Sequence, residues 1–381
     1  GGALGIQDEV LRREMRQLEG SWMSNLALEC SKQRIQRLAY VKKVEFETVP
    51  VPGTPDLVDV NFDIEEGQSA TLGGSLGYSD YYKATISGNL ADANFLGTGQ
   101  RLSLDISHGS LSEVLSISHT EPYTTIDGVS RSIDLMYRDL EQLNSRTSEF
   151  STKTWLAGLT YGYPISERQV VRFGGSWQHV ELATSTFSSL QLQDWIESNG
   201  EPIGASFGDF DIVGSRFRVF ELTSGWSFDS RDRVLFPTAG ASHRLQLSAT
   251  VPGSEVEWFT AQYDYEQYFR LPLPLLRKLP LRLHTHVGYG TALGDTTALP
   301  PNRRFFLRGS DSRRRFDVPS LGPRDSLGNP YGGDLALSGQ VELLMPIPER
   351  FRSSARATVF FDFGQNYDLG DTRFTDKGGF T

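Results

Sequence analysis

The feature that most constrains this chain is a two-residue alternation of side-chain character, repeated in segments of about ten residues from Gly67 almost to the C-terminus. In the clearest segment Leu281, Leu283, Thr285, Val287 and Tyr289 share one face of an extended strand, while Arg282, His284, His286, Gly288 and Gly290 share the other. The same contrast separates Phe259, Ala261, Tyr263 and Tyr265 from Thr260, Gln262, Asp264 and Glu266, and Ile133, Leu135 and Tyr137 from Ser132, Asp134 and Arg138. Further segments lie near residues 70–79, 81–90, 100–109, 112–121, 154–163, 170–180, 217–228, 241–250, 335–345 and 355–364, giving roughly thirteen strands. Strands of this length suit a tilted crossing of a hydrocarbon layer, and a soluble sandwich uses shorter ones.

Composition agrees with a transmembrane β-barrel. Mean hydropathy is -0.34 and no apolar run reaches 18 residues, which excludes a helical membrane span. Barrel strands expose apolar side chains on one face only, so their average hydropathy looks soluble. Tyr78, Tyr123, Trp155, Trp177, Trp226, Trp258 and Phe269 sit near strand ends, as an interfacial girdle requires. A net charge of -10 argues against a nucleic-acid surface. The single cysteine, Cys30, permits no internal disulfide and no cysteine metal cluster, and is expected to pack within a helix.

The first 66 residues follow other rules. A short amphipathic helix is expected from Asp8, as N-cap, to Leu18, and a second from Asn25 to Tyr40 with Leu28, Ile35, Leu38 and Ala39 on its apolar face. Strand-like runs at 41–51 and 57–65 complete an ααββ unit that lacks a first strand upstream. Residues 1–66 are therefore read as one small α+β domain and 67–381 as the barrel. The opening Gly-Gly-Ala-Leu-Gly lacks the features of a signal peptide, so a processed start or a fragment boundary is expected. An odd strand count and a polar C-terminal segment, Asp371 to Thr381, suggest that C-terminal strands of the barrel are absent.

Several motifs carry a resemblance. Arg12-Arg13-Glu14-Met15-Arg16-Gln17-Leu18-Glu19-Gly20 with Trp22, and Val51-Pro52-Gly53-Thr54-Pro55-Asp56-Leu57-Val58-Asp59-Val60, resemble the last POTRA domain of the BamA family of outer-membrane barrel-assembly factors. Asn94-Phe95-Leu96-Gly97-Thr98-Gly99, Glu121-Pro122-Tyr123 with Asp127-Gly128-Val129, and Phe236-Pro237-Thr238-Ala239-Gly240 are similar to that family's hairpins in the same order. Leu307-Arg308-Gly309-Ser310 is similar to the V-R-G-F/Y motif of its sixth long loop, with Leu for Val and Ser310 in place of the aromatic.

The resemblance implies an assembly factor that inserts unfolded outer-membrane proteins without catalysis or cofactor, with a periplasmic POTRA domain, accessory lipoproteins and outer-membrane lipids as partners. It also implies that Arg308, followed by Gly309, folds into the barrel to meet acidic wall residues. Strand parity offers Glu342 and Asp362, and a guanidinium can bind carboxylate oxygens bidentately. The first barrel strand carries Gly73, Gly74 and Gly77, which weaken cross-strand packing and suit a seam that opens laterally, although they could equally relieve crowding at a bend. The neighbouring Arg313-Arg314-Arg315 run is read as solvated or paired with Asp311 and Asp317, and Gln193 to Gly200 as a short helix over the barrel mouth.

None of the six histidines lies in H-E-x-x-H, and no G-x-S-x-G elbow, P-loop or dinucleotide fingerprint occurs, so no enzyme is expected. His284 and His286 are expected to be hydrogen-bonding lumen residues. The competing functions are a two-partner secretion pore of the same superfamily and, from another class, an outer-membrane hydrolase or porin.

Overall fold

The computed structural model describes residues 5–54, 56–79, 83–109, 111–143, 149–185, 188–207, 210–233, 237–270, 279–307, 322–345 and 357–370. They fall into two compact units, Gly1–Met136 and Tyr137–Thr381.

In the first unit, α1 (Asp8–Arg12) follows Gln7, which is the N-cap; Asp8 and Glu9 lie in the first turn, where their charge complements the helix dipole. The helix stops well before Leu18: Glu14 N and Met15 N bond back only three residues, to Leu11 O and Arg12 O, and the Ser31 Oγ then accepts from Arg16 N at 2.8 Å and Gln17 N at 3.3 Å. α2 (Asn25–Gln36) is capped by Ser24, whose side chain accepts from Ala27 N, and buries Leu28, Ser31 and Ile35. Cys30 falls off that stripe and is exposed, which corrects the expectation that it packs. β1 (Val41–Pro50) and β2 (Val58–Glu66) form an antiparallel hairpin with Phe46 opposite Phe62. Val10, Ile35, Tyr40, Val41 and Val44 close a small core between the helices and this hairpin. The long strands then begin with β3 (Ala70–Ser79), β4 (Lys83–Phe95), β5 (Gln100–Gly109), β6 (Ser112–Glu121) and β7 (Ser130–Leu143).

The second unit continues with β8 (Glu149–Ser166), β9 (Gln169–Ser185), α3 (Leu190–Ser198), β10 (Glu201–Phe207), β11 (Phe210–Asp229), β12 (Gly240–Thr250), β13 (Trp258–Arg270), β14 (Pro280–Ala292), β15 (Leu335–Met345) and β16 (Ala357–Tyr367). From β3 to β16 each strand pairs with its sequence neighbour in one antiparallel sheet, except that β9 pairs β11 while the short β10 adds to β11 off the path; β3 and β16 are the end strands. The alternation anticipated this path strand by strand. It did not reveal β10, whose run Glu201–Phe207 interrupts apolar residues with Pro202 and Gly204.

Burial in the sheet is inverted relative to a soluble protein. Phe173, Phe220, Leu222, Val359 and Phe361 are each at least 58% exposed, whereas Gln178, Glu221, Ser338, Gln340 and Glu342 on the opposite face are at most 5% exposed. Apolar side chains outside and satisfied polar ones inside describe a wall whose solvent is hydrocarbon. Among the described residues no helix is long and apolar enough to cross a membrane. Trp258 departs from the expected girdle: it is 1% exposed and packs with Phe217 and Val219, because its even parity places it on the inner face with Thr260 and Gln262.

Candidate functional site

Among the described elements the connection between β14 and β15, residues 293–334, is the longest. Its described stems, 293–307 and 322–334, fold back onto the inner wall. Phe305 and Gly333 exchange both backbone hydrogen bonds at 2.9 Å, so the stems pair with each other. Gly288 and Gly290 make the seat for Phe305: a Cβ at Gly288 would meet the ring at 2.8 Å, and one at Gly290 would meet Leu299 at the same distance. Gly332, at φ +75, turns the returning stem where a Cβ would strike Phe306 and the Phe305 carbonyl. Asn366 Nδ2 donates to Phe305 O at 3.0 Å, and Asp334 N donates to Tyr367 O at 2.9 Å, joining the loop to the end of β16.

α3 is the second part of this cap, and it begins three residues before the expected Gln193. Trp195 Nε1 donates to Ala298 O at 2.9 Å, and Asn199 exchanges bonds with Thr297 at 2.8 and 3.1 Å. At its other end Leu190 N donates to Ser326 Oγ and Ser326 N to Gln191 Oε1. Beneath it Leu192, Trp195, Ile196, Phe217, Val219, Val256, Trp258 and Leu299 form a continuous buried apolar cluster. The first and last turns of α3 are thus bolted to opposite stems of the long loop.

Arg308 and Gly309, the centre of the expected lock, lie outside the described residues, as do Arg313, Arg314 and Arg315. Leu307, immediately before Arg308, is buried at 7% exposure. Glu342 and Asp362 have the parity expected of them. Glu342 is 3% exposed and accepts from Arg282 Nη1 at 2.7 Å. Asp362 stands opposite Gln340 across the β15–β16 pair. Arg282 also reaches Glu266 at 2.7 Å, and Arg231 reaches the other Glu266 oxygen at 3.2 Å. His286 pairs with Asp264 at 2.8 Å and His284 with Gln340 at 3.2 Å, so both histidines are hydrogen-bonded inner-face residues. Arg282, Glu266 and Arg231 are members of this network that sequence reasoning had not singled out, although parity with His284 and His286 placed Arg282 there and parity with Asp264 placed Glu266. Among the described residues no cluster of three or more His, Cys, Asp or Glu could hold a metal.

On β3 the three glycines differ in what they leave open. A Cβ at Gly73 would strike Asn89 Oδ1, whereas Gly74 has only Ser87 O at 3.8 Å and Gly77 nothing within 4 Å. Crowding therefore accounts for Gly73 alone.

The hairpin motifs have direct physical causes. Asn94 Oδ1 accepts from Gly99 N at 2.7 Å, closing a turn in which Leu96, Gly97 and Gly99 all take positive φ. Asp232 accepts from Thr238 N and Ala239 N at 2.8 and 3.2 Å and from the Thr238 hydroxyl at 2.8 Å; burial opposes its ionisation, but these bonds hold the carboxyl below its usual range. Tyr123 lies under Arg13, 4.6 Å from the guanidinium, and accepts from Arg34 at 2.9 Å, while Arg34 pairs with the buried Glu14 at 2.9 Å. Burial pushes the Tyr123 hydroxyl above its ordinary value, so it stays a neutral partner in this knot. The Arg-Arg-Glu and Glu-Pro-Tyr motifs are thus two halves of one contact.

A family model described as the Omp85 superfamily domain matches residues 94–380. The chain belongs to the Omp85 superfamily. A POTRA model, described as a surface antigen variable number repeat, matches residues 1–67 of this Omp85 chain. The outer membrane protein assembly factor BamA of Neisseria meningitidis serogroup B is 30% identical over 95% of this chain and 45% of its own length. That of Nitratidesulfovibrio vulgaris is 24% identical over 95% and 42%. The Omp85 chain thus spans less than half the length of these curated relatives. The solved structure of BamA from Haemophilus ducreyi lacking POTRA domains 1–3 matches with a TM-score of 0.78 and 27% identity, over 96% of this chain and 70% of that one. CdiB from Acinetobacter baumannii, at a TM-score of 0.55 and 17% identity over 96% and 62%, shares the fold. The Omp85 chain therefore has the POTRA-plus-β-barrel architecture that its alternation and motifs implied.

Proposed function

We propose that this Omp85 chain is the membrane-embedded part of an outer-membrane protein assembly factor, which inserts unfolded β-barrel clients through a weak seam beside β3. The observation that carries the reading is the cap: the β14–β15 loop and α3 are bonded to each other and to the inner wall over a continuous apolar cluster. A protein that passes an extended polypeptide through its lumen must displace such a plug. One that works at its lateral edge can keep it. At that edge Gly74 and Gly77 leave β3 short of cross-strand side-chain packing without steric need, and an underpacked edge can template an incoming strand by β-augmentation.

In this reading Arg308, with Gly309 allowing the turn, meets the acidic inner wall at Glu342 and Asp362 and holds the loop inward. No chemical step is involved; the work is strand templating and local thinning of the bilayer. The POTRA domain sits in the periplasm, where it receives clients and accessory lipoproteins, and the apolar outer face contacts outer-membrane lipid. The test is reconstitution of the full-length parent in liposomes, following the rate at which an unfolded barrel client becomes protease-resistant. Acceleration is the expected result, and passage of ions or extended polypeptide without acceleration overturns the proposal in favour of a secretion pore.

A further inference from the structure

Two adjacent residues that no motif singled out, Arg303 and Arg304, occupy the stem that leads to Arg308. Arg303 ends a single 3-10 turn, Pro301–Arg303, and Arg304 is extended at φ -66, ψ 146. In extended chain successive side chains point to opposite sides. Arg303 reaches Gln178 on β9 at 2.8 Å and Glu221 on β11 at 3.2 Å, and its guanidinium lies 4.8 Å from the Trp258 ring centre. Gln178 also donates to Glu221, which closes the triangle. Arg304 points the other way: it donates to Asp368, just beyond β16, at 2.9 Å, lies 3.8 Å from Asp334, just before β15, and covers the Tyr331 ring at 4.2 Å. In the sheet β12, β13 and β14 stand between these two sets of partners.

We propose that Arg303 and Arg304 form a cross-brace that ties β9 and β11 to the ends of β15 and β16 through the loop stem, and that they are positioning residues for the segment carrying Arg308. The burial supports a tie rather than a surface pair: the Arg304 and Asp368 side chains are each 2% exposed and Glu221 is 5% exposed. A guanidinium held in this way cannot leave its site without stranding a buried carboxylate, so the contact is made or broken as a unit. Three residues separate Arg304 from Arg308, and extended chain spans at most about 14 Å over those four steps. Fixing Arg304 therefore limits how far the chain can carry Arg308 from the stem. Substituting lysine would keep the charge but lose the planar fork and the stacking on Tyr331. The part of this inference that concerns Arg308 rests on the assembly reading; the brace itself does not.

The experiment uses the full-length parent in liposomes with Cys30→Ser, and spin labels at Leu190→Cys on α3 and Leu369→Cys beyond β16, both exposed positions. The distance distribution is narrow with the brace intact. Arg304→Ala broadens it at least twofold, and Arg304→Lys restores less than half of the order. The maximal rate of client insertion falls at least fivefold in Arg304→Ala, while the client concentration giving half that rate changes less than twofold. If Arg304→Ala does not fold, the neutral triple variant Arg304→Met, Asp334→Asn, Asp368→Asn removes the three charges of the Arg304 cluster together and is expected to show the same broadening. An unchanged distribution in whichever variant folds overturns the brace. A broadened distribution with unchanged insertion overturns the positioning role. A parent that inserts no client overturns the assembly reading, and the distance measurement then still decides the brace.

Discussion

Asp334→Asn should stabilise this protein at neutral pH, against the usual expectation for removing a charge beside an arginine. Asp334 lies outside the strands, with its side chain 13% exposed, and is faced by Arg304, Asp368 and the Leu369 backbone N–H. Burial pushes its carboxyl up from 3.8 to about 6; the attraction of Arg304, at 3.8 Å, is outweighed, and the like charge of Asp368 adds to the rise. Arg304 is itself held above its ordinary value by the same neighbours despite its burial, so the guanidinium gains from Asp334 while the carboxylate loses more. At about 1.4 kcal/mol per pH unit, keeping this group ionised in the folded protein costs about 2–3 kcal/mol at pH 8. Because the folded value is raised, the contribution of Asp334 is fully favourable below pH 3.8 and is lost as pH rises through about 6. Asparagine keeps the shape and removes the ionisation, while the 2.9 Å contact from Arg304 to Asp368 remains. Urea unfolding of full-length protein in detergent, read by the shift of the folded band on an unheated gel, should place the variant about 2 kcal/mol above the parent at pH 8. The gap should close as pH falls to 4. A variant less stable than the parent at pH 8 would show that the attraction between Arg304 and Asp334 outweighs the burial of the carboxylate and would refute this accounting.

Three further outcomes are expected. Glu14→Ala leaves Arg34 part-buried without its carboxylate and should cost about 2–3 kcal/mol in the urea transition of the full-length protein; an effect below 0.5 kcal/mol would make the pair a mere surface contact. Gly288→Ala forces a Cβ to within 2.8 Å of the Phe305 ring and should cost about 1–3 kcal/mol while raising protease cleavage in the loop; Phe305→Leu in the same background should recover part of the loss. Gly77→Val meets nothing within 4 Å, so it should leave stability equal or higher by about 0.5–1 kcal/mol, yet slow client insertion several-fold by stiffening β3; an unchanged rate would remove β3 from the mechanism.

Most of the sheet was legible because a strand's period is two and a membrane wall needs one apolar face, so alternation alone located β3 to β9 and β11 to β16. β10 was not, since Pro202 and Gly204 break its pattern. The end of α1 was hidden for a different reason: after a tightened turn at Glu14 and Met15, Arg16 N is given to Ser31, fifteen residues away, and such a tertiary hydrogen bond leaves no local trace. Trp258 could have been placed correctly from its parity with Thr260, had proximity to a strand end not been given more weight. Glu342 and Asp362 were readable from parity. Arg303 and Arg304 were not, because a pair of arginines in a loop resembles a solvated patch until the partners Gln178, Glu221, Asp334 and Asp368 are brought to it from distant strands.

The most direct test of the central claim compares the full-length parent with Arg308→Ala in liposomes, recording how fast an unfolded barrel client becomes protease-resistant. An assembly factor whose loop is locked against Glu342 and Asp362 accelerates that step, and the variant loses most of the acceleration while remaining folded. Equal acceleration by parent and variant would contradict the lock, and a parent that conducts ions or polypeptide without accelerating insertion would contradict the assembly function itself.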